Sequence, residues 1–537
     1  MNMPASPLLS NRASILASLA SSDSVDLLVI GGGASGLGVA LDAVLRGLKV
    51  VLLESHDFAK GTSSRATKLV HGGVRYLAQG NIPLVREALH ERSTLLHNAR
   101  HLVSPLAFVM PSYSCWETPF YGIGLKMYDA LAGKAGLGPT QFMGARATHD
   151  CLPGVKMAGL KGGVKYWDAQ FDDARLALAL ARSVAAQGGL VINYCPMTEF
   201  LHEDGRVAGA RCTDLETGKD YIVRAKCVVN ATGVWVDEVR HKDDAAVGRL
   251  SVPMVSPSQG VHLVVDASFL PGQHALLVPK TRDGRVLFAV PWLGKVILGT
   301  TDTPRHDLAR EPLPFADEVA FILQEAGKYL AKPPSRADVR SVWVGLRPLV
   351  SPSSTDGDST KHISREHTVV VSSSGLVTVT GGKWTTYRAM AEDVLNKCVS
   401  SGLLKQLPPS RTARFALVGA PGNSAVTVAT RKTAACIASA PGLAAYGTEA
   451  SYVQALDGND QELAYGLTVA MVHYAIRYEY ARTVEDVLAR RSRLLFLDAV
   501  LAGDIAGQVA ELVQQETGQD PQLESFLILA RQYHTLP

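Results

Sequence analysis

Long apolar runs are missing from this chain. A membrane-spanning helix needs ~18 uninterrupted apolar residues, and the best stretch, Leu27 to Leu45, is broken by Asp42 and a cluster of glycines. A spanning segment is therefore not expected. Charge of one sign is equally scarce. A net charge of +3 falls short of the basic stripe that nucleic acid binding demands, so nucleic acid is excluded as a partner and any anion site must be local. The seven cysteines form an odd set without a C-x-x-C pair. That excludes a disulfide framework and a zinc site, and it points to buried thiols in a reducing compartment. No metal site is expected.

What is present is material for several cores. Apolar residues make up 47% and charged residues 19% of 537, a globular composition without the signature of disorder. At ~100 to 200 residues per domain, two to four domains are expected. The leader up to Ser22 has one arginine, Arg12, and no acidic residue. It lacks the several arginines of a transit segment, so residues 1–24 read as a disordered start.

Val25 to Ile30 is a short apolar run that ends at Gly31. Leu37, Ala40, Leu41, Val44 and Leu45 then recur at helical spacing, and Lys49 to Leu53 is a second apolar strand. Strand, turn, helix and strand make one βαβ unit, which implies a parallel sheet. Helix-like periodicity returns from Asp172 to Gln187, with short strands at Gly189 to Tyr194 and Cys227 to Asn230. Between Val252 and Val344, strand-like runs separated by turns predict a mostly antiparallel sheet. A Pro-rich stretch near Gln406 to Pro421 reads as a linker, and Glu462 to Leu512 has helical periodicity.

The glycines of the first turn carry the strongest chemical signal. Gly31, Gly33 and Gly36 fit G-x-G-x-x-G with Ala34 and Ser35 inside it. The first glycine permits the turn, the second lets a pyrophosphate approach the backbone, and the third brings helix and strand together. The helix N-terminus then offers N–H groups and a favourable dipole to the phosphates. Glu54 ends the second strand at about the 20-residue spacing of a ribose-binding acid. A carboxylate there accepts ribose hydroxyls and repels a 2′-phosphate, which disfavours NADP. Two further turns suit the same extended ligand: Ala231, Thr232 and Gly233 end the string VVNATG, and Gly382, Lys383, Trp384 and Thr385 lie in TGGKWTTYR.

Longer strings carry a resemblance to the FAD-dependent glycerol-3-phosphate dehydrogenases, within the D-amino-acid-oxidase-like flavoproteins. They are GTSSRATKLVHGGVRYL at Gly61 to Leu77, FDDARL at Phe171 to Leu176, GTTDTP at Gly299 to Pro304, GLRPL at Gly345 to Leu349, GGKWTTYR at Gly381 to Arg388, and EYARTVEDVLARRSRLLFLD at Glu479 to Asp498. The resemblance runs from about Val25 to Asp498. It implies noncovalent FAD, oxidation of sn-glycerol 3-phosphate to dihydroxyacetone phosphate, and delivery of electrons to a membrane quinone. Members in mitochondria carry C-terminal calcium loops. The nearest candidate here begins at Asp457 and offers Asn459, but it puts Thr468 where a bidentate Glu is required, so calcium regulation is not expected. The chain is similar to the shorter bacterial form, which implies a cytoplasmic protein held peripherally at the inner face of the membrane.

The resemblance also implies a division of roles. Thr62, Ser63, Ser64, Lys68, Leu69, His71 and Gly73 would contact the flavin, and Arg75 and Tyr76 would sit beside the substrate. Arg365 and Lys383 would join Arg75 in binding the phosphate, Arg as a planar fork and Lys as a point charge. His262 would take the C2 hydroxyl proton, because a neutral imidazole accepts near pH 7. Arg347 would stabilise the same oxygen as charge develops; a deprotonated guanidinium as base is the second choice. Thr300, Thr301 and Asp302 read equally well as ordinary turn residues, and Asp172 or Asp173 of FDDARL as a helix cap. Arg477, Arg482, Arg490, Arg491 and Arg493 are candidates for anionic lipid contact. Two other readings stay open: an oxidase that makes peroxide from O₂, and a noncatalytic flavin-binding protein. The oligomeric state, including a homo-oligomer, is also open.

The expected fold class is α/β: a Rossmann-like FAD-binding domain with a parallel sheet, an interleaved antiparallel-sheet substrate domain, and a small all-helical C-terminal domain. Residues 25–104, 160–250 and 345–400 are assigned to the first, 105–159 and 251–344 to the second, 401–424 to a linker and 425–537 to the third.

Overall fold

The computed structural model of the protein describes residues 7–73, 77, 81–249, 251–350, 367–422 and 437–537. Arg75, Tyr76 and Arg365 lie outside the described residues. Val25–Ile30 and Val50–Leu53 form adjacent parallel strands with Ile30 opposite Leu53, and the helix Ala34–Leu45 crosses between them. The first strand also pairs in parallel with Asp220–Asn230, Ile30 meeting Asn230. The sheet runs His367–Val371, Val377–Gly381, Asp220–Asn230, Val25–Ile30, Val50–Leu53, Leu190–Ile192. Only the edge strand His367–Val371 on this path is antiparallel. Strands buried on both faces read as continuous apolar runs, which is why Val25–Ile30 and Val50–Leu53 were legible. Chain order reverses at Val25–Ile30, so a crevice opens beyond its carboxyl end, where ligands of open α/β sheets bind.

The second sheet has ten strands. Its centre is the long strand Val255–Asp266, paired antiparallel with Lys295–Gly299 on one side and Ser341–Val350 on the other. The sheet continues through Leu287–Trp292 and Ala275–Val278 to Val103–Ser112 and Gly162–Phe171. Gly162–Phe171 and Ser341–Val350 thus pair here, although the sequence reading divides the chain so that their residues fall largely with the nucleotide fold. Ten residue pairs match Gly162–Phe171 to Val103–Ser112, and that partnership is set by tertiary pairing that no local pattern announces.

The C-terminal region is helical, with Val469–Tyr478, Ala506–Thr517 and Leu523–His534 as its longest members and a two-stranded hairpin ahead of them. It packs on the second sheet: Phe496 meets Trp343 edge-on at 5.1 Å, and Ser341 Oγ donates to Leu495 O at 2.9 Å. The expected linker is anchored, since Asn98 Nδ2 donates to Thr412 O at 2.8 Å and Val418 N to Ser183 Oγ at 3.0 Å.

Two expectations are corrected. The leader holds a helix, Arg12–Ser21, capped by the Asn11 side chain on Ser14 N. Leu16 and Leu19 are buried on one of its faces, and Arg12 pairs with Asp214 and Glu216. The second correction is to the basic surface. Arg490, Arg491 and Arg493 are buried, the first two on Asp57 and the third on Asp173. Arg482 pairs with Glu216 at 2.6 Å, and Arg477 pairs with Glu516. Arg482, Arg490, Arg491 and Arg493 tie the C-terminal region to the nucleotide fold, the Arg477 pair lies within the C-terminal region, and the five form no lipid-facing stripe.

Candidate active site

Beyond the carboxyl ends of the first sheet lies a cleft lined by Gly31, Gly33, Ala34, Ser35, Glu54, Thr62, Ser63, Ala231, Thr232, Gly233, Gly382, Lys383 and Trp384 among others. All three turns singled out from the sequence therefore face one space. Gly31 has φ 111°, and a Cβ there would stand 2.6 Å from Ala231 O, so the first and second turns touch only because glycine occupies the position. Gly36 stands outside the wall and fits the helix to the strand: a Cβ on it would meet Gly31 O at 1.9 Å.

Polar groups hold the cleft in shape. Gly33 caps the helix Ala34–Leu45 without a side-chain hydrogen bond, and Ala34 N donates to Ser63 Oγ at 2.9 Å. The Glu54 carboxylate accepts from Gly32 N at 2.6 Å, His56 N at 2.9 Å and Ser55 Oγ at 3.2 Å. Burial raises its pKa, and the two backbone N–H groups oppose the shift. Trp384 Nε1 donates to Ser63 O at 2.8 Å, joining the third turn to the Thr62–Ser64 segment, and Thr62 Oγ1 donates to Leu346 O at 2.7 Å, joining the nucleotide fold to the second sheet. A glycine-lined space, an acid at the second strand and a helix N-terminus whose cap, Gly33, has no side chain to block it fit the phosphates and ribose of a dinucleotide.

Ser64, Lys68, Leu69, His71, Gly73 and Thr385 are not among the residues that line this cleft. Lys68 turns its side chain into the protein frame. Its ammonium is fully buried and donates to Asp173 at 2.7 and 2.9 Å and to Ser64 O at 2.6 Å. Burial and the neighbouring Arg493 bring it down to about 7. Asp172 is the helix cap, accepting from Arg175 N, so FDDARL serves the frame of the site.

His262 and Arg347 lie on paired strands of the second sheet, His262 opposite Trp343 and Arg347 opposite Ser258. The imidazole stacks on Trp343 with centroids 5.2 Å apart and planes at 16°. Its Nε2 shares a hydrogen bond with Thr67 Oγ1 at 2.9 Å, and its Nδ1 is buried with no hydrogen-bond partner among the described residues. Burial, with the cations Arg347 and Lys68 nearby, holds it well below the usual histidine range. The ring is therefore neutral at physiological pH. Arg347 donates through Nη1 to Asp302 at 3.1 Å and through Nη2 to Thr300 Oγ1 and Thr301 O, each at 3.0 Å. Thr301 Oγ1 in turn donates to Glu318 at 2.7 Å. Sequence reasoning left Thr300 and Asp302 as turn residues and overlooked Thr67. The GTTDTP string held the first two, but Thr67 stands 195 residues from His262, and no spacing rule spans that distance.

Comparison with known proteins defines the class first: residues 26–388 match the family described as FAD dependent oxidoreductase, and residues 410–523 match the C-terminal domain of alpha-glycerophosphate oxidase. The mitochondrial glycerol-3-phosphate dehydrogenase of Rattus norvegicus is 41% identical over 94% of this chain and 72% of its own length. That of Arabidopsis thaliana is 40% identical over 95% of this chain and 86% of its own length. The solved structure of glycerol-3-phosphate dehydrogenase from Bacillus halodurans complexed with FAD superposes with a TM-score of 0.75 at 28% identity, covering 98% of each chain. This chain belongs to the FAD-dependent glycerol-3-phosphate dehydrogenase family, and it is an FAD-dependent enzyme.

Proposed function

We propose that the protein oxidises sn-glycerol 3-phosphate to dihydroxyacetone phosphate and passes the electrons to a membrane quinone. The observation that carries the reading is a neutral, buried His262 beside Arg347, on strands joined to the glycine cleft through Thr62 and Leu346. A noncatalytic FAD holder has no use for that pair. Relatives named glycerol-3-phosphate dehydrogenase support the substrate.

When bound, FAD supplies at its N5 position the acceptor for the hydride on C2 of the alcohol. The glycine turns and the Ala34–Leu45 N-terminus bind its pyrophosphate, and Glu54 its ribose. The remaining cleft-lining residues of the three turns orient it. His262 accepts the C2 hydroxyl proton on a ring nitrogen, because its depressed pKa keeps the imidazole unprotonated. Arg347 donates to the same oxygen as negative charge grows there, its fork held by Asp302 and Thr300. Lys383 supplies a cation to the phosphate, together with Arg75 and Arg365, and Tyr76 borders the substrate.

Among the described residues no helix is long and apolar enough to cross a membrane; in this reading the quinone is met peripherally, at the inner face of the cytoplasmic membrane. The test is one assay on the purified protein with glycerol 3-phosphate, following quinone or dye reduction against peroxide. Rapid peroxide formation with poor quinone reduction makes the protein an oxidase and refutes the electron acceptor. Equal rates with unphosphorylated glycerol refute the phosphate-binding cations.

A further inference from the structure

Among the basic residues that line the FAD cleft, Arg310 is contributed by a connection of the second sheet. Arg310 lies in the connection between the short strand Thr303–Pro304 and the helix Ala316–Tyr329 of the second sheet, yet its side chain lines the cleft together with Glu54 and Trp235. The guanidinium carbon sits 3.8 Å from the centroid of the Trp235 ring, close enough for a cation–π contact. Trp235 itself packs over Gly61, where a Cβ would come within 3.0 Å of the ring. Arg310 also acts electrostatically on Glu54, which places it at the ribose end of the cleft and away from the His262 side.

The backbone that presents Arg310 is fastened on both sides. Trp235 Nε1 donates to Leu308 O at 3.0 Å. The buried Arg65 donates through Nη1 to Arg310 O at 3.2 Å and through Nη2 to Glu311 at 2.6 Å. Glu311 is held further by Tyr533 at 3.4 Å and by Lys60 at 3.9 Å. Three regions distant in sequence thus converge on four residues of an irregular segment. The Arg310 side chain itself is 42% exposed, and its carboxylate contact, Glu238, is 3.8 Å away and 56% exposed. A loosely paired surface arginine on a tightly held backbone is poised to meet something that enters the cleft.

We propose that Leu308–Glu311 is a strap across the ADP half of the FAD site and that Arg310 is a cofactor ligand, supplying a cation and a planar face to the phosphate and adenine portion. An anion entering there gains a charge-assisted donor, and the stack on Trp235 fixes the guanidinium before binding, which lowers the ordering cost. The role is retention of FAD and is separate from the chemistry at His262.

The test is release of FAD from diluted holoenzyme, read as the rise in free flavin fluorescence. Arg310→Gln should release FAD roughly tenfold faster, the change expected for about 1.4 kcal/mol of lost interaction. Arg310→Lys, which keeps the charge without the planar face, should fall between the two. The visible spectrum of bound flavin should stay as in the wild type, because Arg310 stands at the ADP half. Melting at a fixed saturating FAD concentration should fall by no more than the ~3 °C that a tenfold weaker ligand entails, since the side chain is exposed and its substitution removes no buried contact. Wild-type release from Arg310→Gln overturns the proposal. An altered flavin spectrum overturns the placement, and a melting temperature lowered well beyond that linkage effect assigns Arg310 a structural role instead.

Discussion

Replacing Asp173 with Asn should destabilise the protein, and the loss should depend on pH. The Asp173 carboxylate is fully buried and is shared by two buried cations, Lys68 at 2.7 Å and Arg493 at 3.2 Å. The near-isosteric amide keeps the volume but leaves those cations facing each other. Breaking a buried pair in this way costs about 3–5 kcal/mol. At ~2 °C per kcal/mol for a large domain, the FAD-saturated variant should melt roughly 6–10 °C below the wild type at pH 6, measured by scanning fluorimetry. Lys68 sets the sign of the pH effect. Its folded-state pKa of about 7 lies below the ordinary 10.5, so between those values the unfolded chain binds more protons and stability rises with pH. The destabilising charge is fully present below pH 7 and is relieved above it. The gap between Asp173→Asn and wild type should therefore narrow at pH 9, where Lys68 is largely neutral in both. Lys68→Met combined with Asp173→Asn should recover part of the loss at pH 6, because removing both charges costs less than orphaning one. Equal melting at pH 6, or a gap unchanged at pH 9, would refute the ion-pair account.

Other outcomes follow from the site. His262→Ala should lower kcat by ~100-fold or more, the usual yield of a general base, with FAD content unchanged; unaltered turnover removes it from the mechanism. Because the imidazole sits well below its usual range, the acid limb of kcat/KM should fall below pH 6.5, and a limb at or above 6.5 contradicts its neutrality. Lys383→Ala should mainly raise the KM for glycerol 3-phosphate, by ~10-fold or more for one charged hydrogen bond, while an effect confined to kcat argues against phosphate binding. Gly36→Ala forces a methyl against Gly31 O and should yield protein purified largely without FAD, so full flavin occupancy would show that the helix can yield.

The nucleotide turn was legible because its determinants are local. Gly31, Gly33 and Gly36 sit between an apolar strand and an apolar, buried helix, and each signal spans a few residues. Glu54 lies one crossover away and was found by spacing. The mostly antiparallel second sheet showed itself in repeated short runs between Val252 and Val344. Its full membership did not, because Gly162–Phe171 pairs with Val103–Ser112, a partner remote in sequence that no local pattern selects. The helix Arg12–Ser21 was missed for a related reason: its apolar face is a short one of Ile15, Leu16 and Leu19, and Arg12 is held by the distant Asp214. The lipid-facing reading of the C-terminal arginines failed because burial of a charge depends on its partner, and Asp57 is more than 400 residues from Arg490.

The sequence by itself determined that a dinucleotide would lie on a βαβ unit, since glycine turns, helix spacing and a strand-end acid act over short distances. It also carried, through longer strings, the family to which the chain belongs. Only the tertiary structure decided what those residues are doing. It set Thr67 against His262, Asp302 and Thr300 against Arg347, and Lys68 into an ion pair away from the cleft. It also brought Arg310 from the second sheet to the ADP end of the first. Protonation state and charge pairing depend on burial and on neighbours remote in the chain, and those exist only once the two sheets and the C-terminal helices have packed.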